Sequence, residues 1–336
     1  MANARKTVDQ YQACLAGGAA YHRSDRGLLE LQGADRATWL NNLVTNVITT
    51  LKPGEANYAF ALNVQGRCLF DLNMLVLEED RIWLDIDQRL IEKARTHLER
   101  YIITEDVTLT NLTEHSQRIA LIGPRAHEAF DQLGFGNLIP MAWLQHVAGN
   151  IGNADVRAMR HDFAGLIGVE FITTGEDAAG AIAKIESTAF QLGFATVERP
   201  AIEVLRIEGG IPASVEDIDE NVVPPETGQI ERGISYHKGC YLGQEVIERM
   251  RSHGVLSRKL VGIRFEGEEA VPAQSKINAG GQEVGRVLSG CYSEVLKSPF
   301  SLAYVKTAHS RPDVSVAALT NAGPRQGTIV ALPLRK

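Results

Sequence analysis

From Ser257 onward the chain changes texture, and that change constrains the fold more than any other feature. Short alternating stretches, Leu260 to Phe265, Gln282 to Leu288, Cys291 to Leu296, Leu302 to Val305, Ser315 to Leu319 and Gly327 to Leu332, are punctuated by Gly, Pro and Asn. This pattern predicts a small antiparallel barrel or sandwich. The preceding region mixes strand and helix periods, so the expected fold class is α+β. The expected division is 1–255, two intertwined lobes, and 256–336, a barrel domain. A chain of 336 residues is long enough for two or three such units, each with its own core.

Within the first region, Gly27 to Gln32 reads as a strand and Asp35 to Thr49 as a helix, with Leu40, Leu43, Val44 and Val47 on one stripe. Asn57 to Asn63 and Arg67 to Leu77 are alternating stretches joined by Val64, Gln65 and Gly66, the chemistry of a tight hairpin. Arg81 to Asp85 predicts a strand, Gln88 to Arg100 a helix and Asp106 to Thr110 a strand. A looser second copy follows: strand Arg118 to Ile122, helix Arg125 to Leu133, strands near Asp155 to Arg160 and Ala164 to Thr173, and helix Ala178 to Leu192. Both halves run a strand through glycine into a helix, at Gly33 and at Gly123. This is either a duplication or a common turn solution.

Composition excludes several classes. The net charge of −7 is mildly acidic and gives no footprint for nucleic acid, although Arg249, Arg251, Arg258 and Lys259 form a local basic patch. Direct nucleic-acid binding is not expected. The longest apolar run, Tyr58 to Leu62, is far shorter than the roughly 20 residues of a membrane helix. Arg5 and Lys6 are followed by no apolar stretch, so no secretory signal is readable and the cytoplasm is the expected compartment. Cys14, Cys68, Cys240 and Cys291 are too scattered for a disulfide framework. His237, Cys240 and His253 lack a fourth ligand, so no metal is expected. Walker, dinucleotide, His-Glu-x-x-His and Gly-x-Ser-x-Gly signatures are missing.

Four segments carry chemistry. Lys238 to Glu245 is a glycine-bracketed loop entering a helix; Cys240, before the helix and close to Lys238, is either a thiol biased toward thiolate or a small buried hydrophobe. In the strand Cys68 to Leu77 one face is wholly apolar (Cys68, Phe70, Leu72, Met74, Val76). Asp71 lies on the other, either at a solvated edge or aimed into a cavity. Glu170, in an otherwise apolar strand, poses the same question. Arg206 closes a helix at Gly209 and Gly210, with an expected solvated acidic loop at Asp217, Asp219 and Glu220 beyond.

The string Lys238-Gly-Cys-Tyr-Leu-Gly-Gln-Glu245, with Arg206-Ile-Glu-Gly-Gly-Ile-Pro212 and Leu62-Asn-Val-Gln-Gly-Arg67 before Asp71, resembles the YgfZ family of folate-binding proteins. That family is related to the glycine-cleavage T-protein, an aminomethyltransferase. The resemblance implies a three-lobed aminomethyltransferase-like fold around a central folate channel. It also implies tetrahydrofolate or a one-carbon derivative as ligand. The implied role is assembly or repair of iron-sulfur proteins, including tRNA-modifying cluster enzymes, with those proteins or their assembly factors as partners. The alternative is a folate-dependent aminomethyltransferase or one-carbon transferase.

By the resemblance Cys240 is a functional thiol and Asp71 the group near the reacting folate nitrogen. Glu170 takes the donor edge of the pterin, as a carboxylate takes the fork of Arg, and Arg206 takes the anionic part. Asn63, Lys238, Tyr241 and Gln244 lie within the matched motifs and complete the expected folate-binding set. Phe70 stands where the T-protein pattern has the first of two consecutive acids.

Overall fold

A computed structural model of the chain describes residues 2–78, 80–254 and 256–335, the side chains of 2–4 and 253 excepted. Three lobes are built from two open sheets and a closed barrel. The first sheet has the spatial order Ala56–Leu62, Cys68–Val76, Arg81–Asp87, Arg26–Gln32 and Thr108–Asn111, all antiparallel. Its core face is the apolar row Phe70, Leu72, Met74 and Val76, covered by the helices Arg36–Asn41 and Ile91–Glu99 through Trp39, Leu40, Ala94 and Leu98. Gly66 closes the hairpin at φ 72°, a conformation that glycine adopts without a Cβ clash.

The second sheet runs Ala195–Thr196, Ala19–His22, Ser116–Ile122, Gly168–Thr174, Ala154–Arg160 and His146–Ile151. The helices Ala126–Gln132 and Ala178–Gln191 bury Phe130, Ile182 and Ile185 against it. In the barrel six strands close in the order Arg258–Phe265, Ser298–Lys306, Gln282–Ser293, Lys276–Ala279, Ser315–Thr320 and Gly323–Val330. The expected division after residue 255 falls at Val255, outside the described residues. No helix among the described residues is long and apolar enough to cross a membrane.

Several expectations change. The helix anticipated to Thr49 stops at Asn41, because Val44 pairs with Ala61 and the Thr45 N–H donates to Phe60 O at 2.9 Å. Cys291 belongs to the same strand as Gln282, continuing past a bulge, and Lys276–Ala279 and His146–Ile151 are additional strands. A helix, Ala2–Ala16, occupies the polar N-terminal stretch and packs Tyr11 and Cys14 against Ile202 and Leu205 of the helix Arg199–Glu208. Gly33 and Gly123 share one backbone device, φ 106° and 113°; a Cβ there would stand 2.1 Å from Asp106 O and 2.5 Å from Cys14 O.

Candidate active site

A central cavity opens between the two sheets. The first sheet contributes Arg26, Tyr58, Asp71 and Asn73, and the second contributes Tyr21. The segments next to it contribute Arg23, Trp143, His161 and Phe163, and the helix Arg199–Glu208 with the loop behind it contributes Arg206 and Ser214. Asp71 therefore does not sit at an edge. Its strand lies between two others, the side chain is 8% exposed, and it lines the cavity. Tyr58 Oη donates to Asp71 Oδ2 at 2.7 Å, and Ser214 Oγ donates to Oδ1. Burial and the neighbouring Asp71 carboxylate together raise the Tyr58 phenol well above its usual pKa, so it remains a proton donor.

The backbone turns sharply just after Ser214. The next residue, Val215, is β-branched yet adopts φ 73°, a region costly for such a side chain. Ser214 pairs with Ile218 across this kink.

Glu170 lies beside the cavity without lining it. It is fully buried, and its oxygens accept from Arg23 (3.2 Å) and Arg118 (3.3 Å) and contact His161 Nδ1 at 2.9 Å. Arg118 bridges on to Asp85 at 2.6 Å, and Asp85 also takes Arg26 and Asn73. With Asp25 on Arg23, the network sets three arginines against three carboxylates. Burial alone would raise Asp85 and Glu170. For Asp85, Arg26 and Arg118 override it; for Glu170, Arg23 and the hydrogen bond to His161 do, and both carboxyls are held below the usual range. The donor-edged face expected for Glu170 is thus occupied by protein groups, and what the cavity sees is Arg23 and His161 in front of it.

Arg206 lines the cavity but has no free donor. Nε and Nη2 bond Glu203, Nη2 also bonds Ser289, and Nη1 bonds Asp217 and Ile211 O, which uses all five N–H groups. Asp217 is 1% exposed and accepts as well from Ala213 N and Ser289 N. The supposed solvated acidic loop is therefore a buried clamp at this point, tying the helix to the barrel.

No residue of the Lys238–Glu245 string lines the cavity. Lys238 Nζ donates to the carbonyls of Asn41, Val44 and Asn46, and burial pushes its pKa down to about 7. Tyr241 packs with Phe60, Leu62 and Cys68, and Gln244 Oε1 accepts from the Tyr241 N–H. Asn63 Oδ1 accepts from Gln65 N and Arg67 N in the hairpin turn. Gly243 stands so close to that turn that a Cβ would meet Asn63 O at 2.6 Å. Tyr241 and Gly243 thus pack the loop against the Asn63 hairpin, Lys238 ties it to residues 41–46, and none of Asn63, Lys238, Tyr241 and Gln244 lines the cavity. Cys240 is exposed on that loop, while Cys14, Cys68 and Cys291 are buried.

Tyr58, Ser214, Trp143 and Arg232 were not singled out by the sequence. One signal existed for the network behind them. In Arg81–Asp87 the residues Arg81, Trp83, Asp85 and Asp87 share one face, and Asp85 is directly opposite Asn73 in register. Two carboxylates, Asp85 and Asp87, beside the row carrying Asp71 mark a polar interior.

The fold and this cavity define a three-lobed protein in which two sheets enclose a polar, aromatic-walled site and a barrel braces it from behind. The model of the GCVT N-terminal domain matches residues 5–235, and that of the glycine cleavage T-protein C-terminal barrel domain matches 258–336. The chain belongs to the glycine cleavage T-protein family. It is similar to the aminomethyltransferase of Halalkalibacterium halodurans, 26% identical over 98% of this chain and 89% of that one. It is also similar to that of Thermosipho melanesiensis, 26% identical over 89% of this chain and 80% of that one. The crystal structure of glycine cleavage system aminomethyltransferase T from Bartonella henselae superposes with a TM-score of 0.87 at 19% identity. It covers 98% of this chain and 89% of that one, a likeness of fold.

Proposed function

We propose that this protein is a tetrahydrofolate-dependent one-carbon transferase of the aminomethyltransferase type, with the central cavity as its active site. The observation that carries the reading is Asp71, a carboxylate held by Tyr58 and Ser214 at the wall of a cavity inside a fold shared with aminomethyltransferases. Tetrahydrofolate supplies nucleophilic nitrogen that accepts a one-carbon unit. The residues present suit such a ligand: Tyr58, Trp143 and Phe163 offer aromatic walls for a flat ring, and Trp143 Nε1 is a buried donor without a partner among the described residues. Asp71 holds or takes a proton at the reacting nitrogen, and Tyr58 and Ser214 fix which lone pairs it presents.

The departure at Phe70 does not weaken this reading. Alternation places residue 70 on the opposite face of the strand from Asp71, and Phe70 is 1% exposed in the core. The missing acid therefore removes nothing from the cavity wall.

Exposed Cys240 favours a second reading, in which the YgfZ-like string makes the protein a folate-binding factor that supports iron-sulfur proteins. An aminomethyl-loaded lipoyl carrier protein separates the two. The transferase reading expects release of ammonia and formation of methylene-tetrahydrofolate, lost in Asp71→Asn and retained in Cys240→Ser. No turnover, with loss of cluster-enzyme activity in cells carrying Cys240→Ser, supports the second.

A further inference from the structure

Six arginines line the central cavity: Arg23, Arg26, Arg89, Arg199, Arg206 and Arg232. Five have carboxylate partners. Arg23 pairs with Asp25 and Glu170, Arg26 with Asp85, Arg89 with Asp87 and Glu216, Arg199 with Glu203 and Glu216, and Arg206 with Glu203 and Asp217. Arg232 has none among the described residues. The one hydrogen bond its guanidinium makes there is from Nη2 to the neutral amide oxygen of Gln229. The guanidinium carbon lies 4.6 Å from the centroid of the Trp143 ring and 6.0 Å from that of Tyr58, so the planar group is held against aromatic walls.

A cation withdrawn from water without a counter-charge is costly unless something else supplies one. Burial accordingly lowers the Arg232 pKa, and Asp71 and Asp162 offset this only through space. Arg206, by contrast, has every N–H engaged, so binding an anion there would break bonds to Glu203 or Asp217. Guanidinium donors left open beside a ring match one chemistry best, a carboxylate taken by the fork while an attached flat group stacks alongside.

We propose that Arg232, and not Arg206, receives the carboxylate of the ligand that occupies the central cavity. The inference rests on the transferase reading and deepens it. Two sources of that carboxylate fit the chemistry: the glutamate of tetrahydrofolate, or a small amino acid that donates the one-carbon unit.

The test compares wild type, Arg232→Gln and Arg206→Gln by calorimetric titration with tetrahydrofolate, with 6-methyltetrahydropterin, which has no carboxylate, and with sarcosine. If folate supplies the carboxylate, Arg232→Gln weakens tetrahydrofolate about 10- to 100-fold and leaves the pterin unchanged. If an amino acid supplies it, Arg232→Gln weakens sarcosine by that factor and leaves tetrahydrofolate unchanged. Either result upholds the inference. Equal affinities of wild type and Arg232→Gln for all three probes overturn it while leaving folate binding intact. Failure of wild type to bind any probe overturns it together with the folate reading. Thermal unfolding of ligand-free Arg232→Met guards against a structural explanation. Loss of an unpaired cation should leave the midpoint unchanged or higher, and a large drop would mean that Arg232 serves the fold.

Discussion

The Tyr58 hydroxyl reaches Asp71 diagonally across two neighbouring strands, at 2.7 Å, while Tyr58 itself stands directly opposite Asn73. One sheet face thereby carries both the carboxylate and the group that orients it. Tyr58→Phe keeps the ring and removes the donor. We expect kcat/KM for one-carbon transfer to fall about tenfold, equivalent to roughly 1.4 kcal/mol, with tetrahydrofolate affinity within about threefold of wild type. Asp71→Asn should lose at least about 100-fold in kcat/KM. Steady-state kinetics alongside titration check both, and a matching loss of affinity in either variant would count against a role at the reacting nitrogen.

Acid sensitivity follows from the buried network. Asp85 and Glu170 have folded-state pKa values depressed below their unfolded values, so the unfolded chain takes up protons first as pH falls. Their contribution is complete above about pH 5 and is lost as pH drops through the carboxylate range. Urea midpoints at pH 3.5 and 6.5 should differ strongly in wild type. Asp85→Asn should be destabilised by about 3 to 5 kcal/mol at pH 6.5, since Arg26 and Arg118 lose their partner, and should show a shallower pH dependence.

Much of the scaffold was legible in the sequence, for identifiable reasons. The hairpin around Gly66 was readable because the strand period of two and the turn chemistry agree there. Asp71 stood out because it interrupts an apolar pattern. The helix to Thr49 was overextended because Leu43, Val44 and Val47 fit a helical stripe equally well, and only the pairing of Val44 with Ala61, distant in sequence, ends it. The saturation of Arg206 and Glu170 was hidden because Ser289, Arg23 and Arg118 come from distant segments and because no sequence signal turns the loop at Asp217 back onto Arg206. Arg232 was invisible for the converse reason, since what marks it is a partner that the fold does not provide.

Arg206 acts as a tie between the helix Arg199–Glu208, the loop at Asp217 and the barrel. Arg206→Lys retains charge but cannot make five bonds in a planar fork, so we expect a loss of about 2 to 4 kcal/mol in unfolding free energy. Denaturant unfolding measures it. A variant as stable as wild type would show that the clamp at Asp217 holds without it.

One of the four cysteines is exposed. Burial pushes Cys14 and Cys291 up to about 12 and holds Cys68 well above its ordinary value, which leaves those three protonated and shielded. Native protein should therefore react with Ellman's reagent at a single fast thiol, absent in Cys240→Ser, with the remaining three appearing on denaturation. Two or more fast thiols in the native state would contradict this.

Trp143 is the tryptophan that lines the cavity, and Trp39 and Trp83 belong to buried clusters. Titrating tetrahydrofolate into wild type while following tryptophan emission and heat together is therefore decisive. Binding of one ligand per chain should quench the emission, and Trp143→Phe should abolish most of the quench while keeping a measurable heat of binding. Absence of binding, or a quench that survives intact in Trp143→Phe, would mean that the space between the two sheets is not where folate goes.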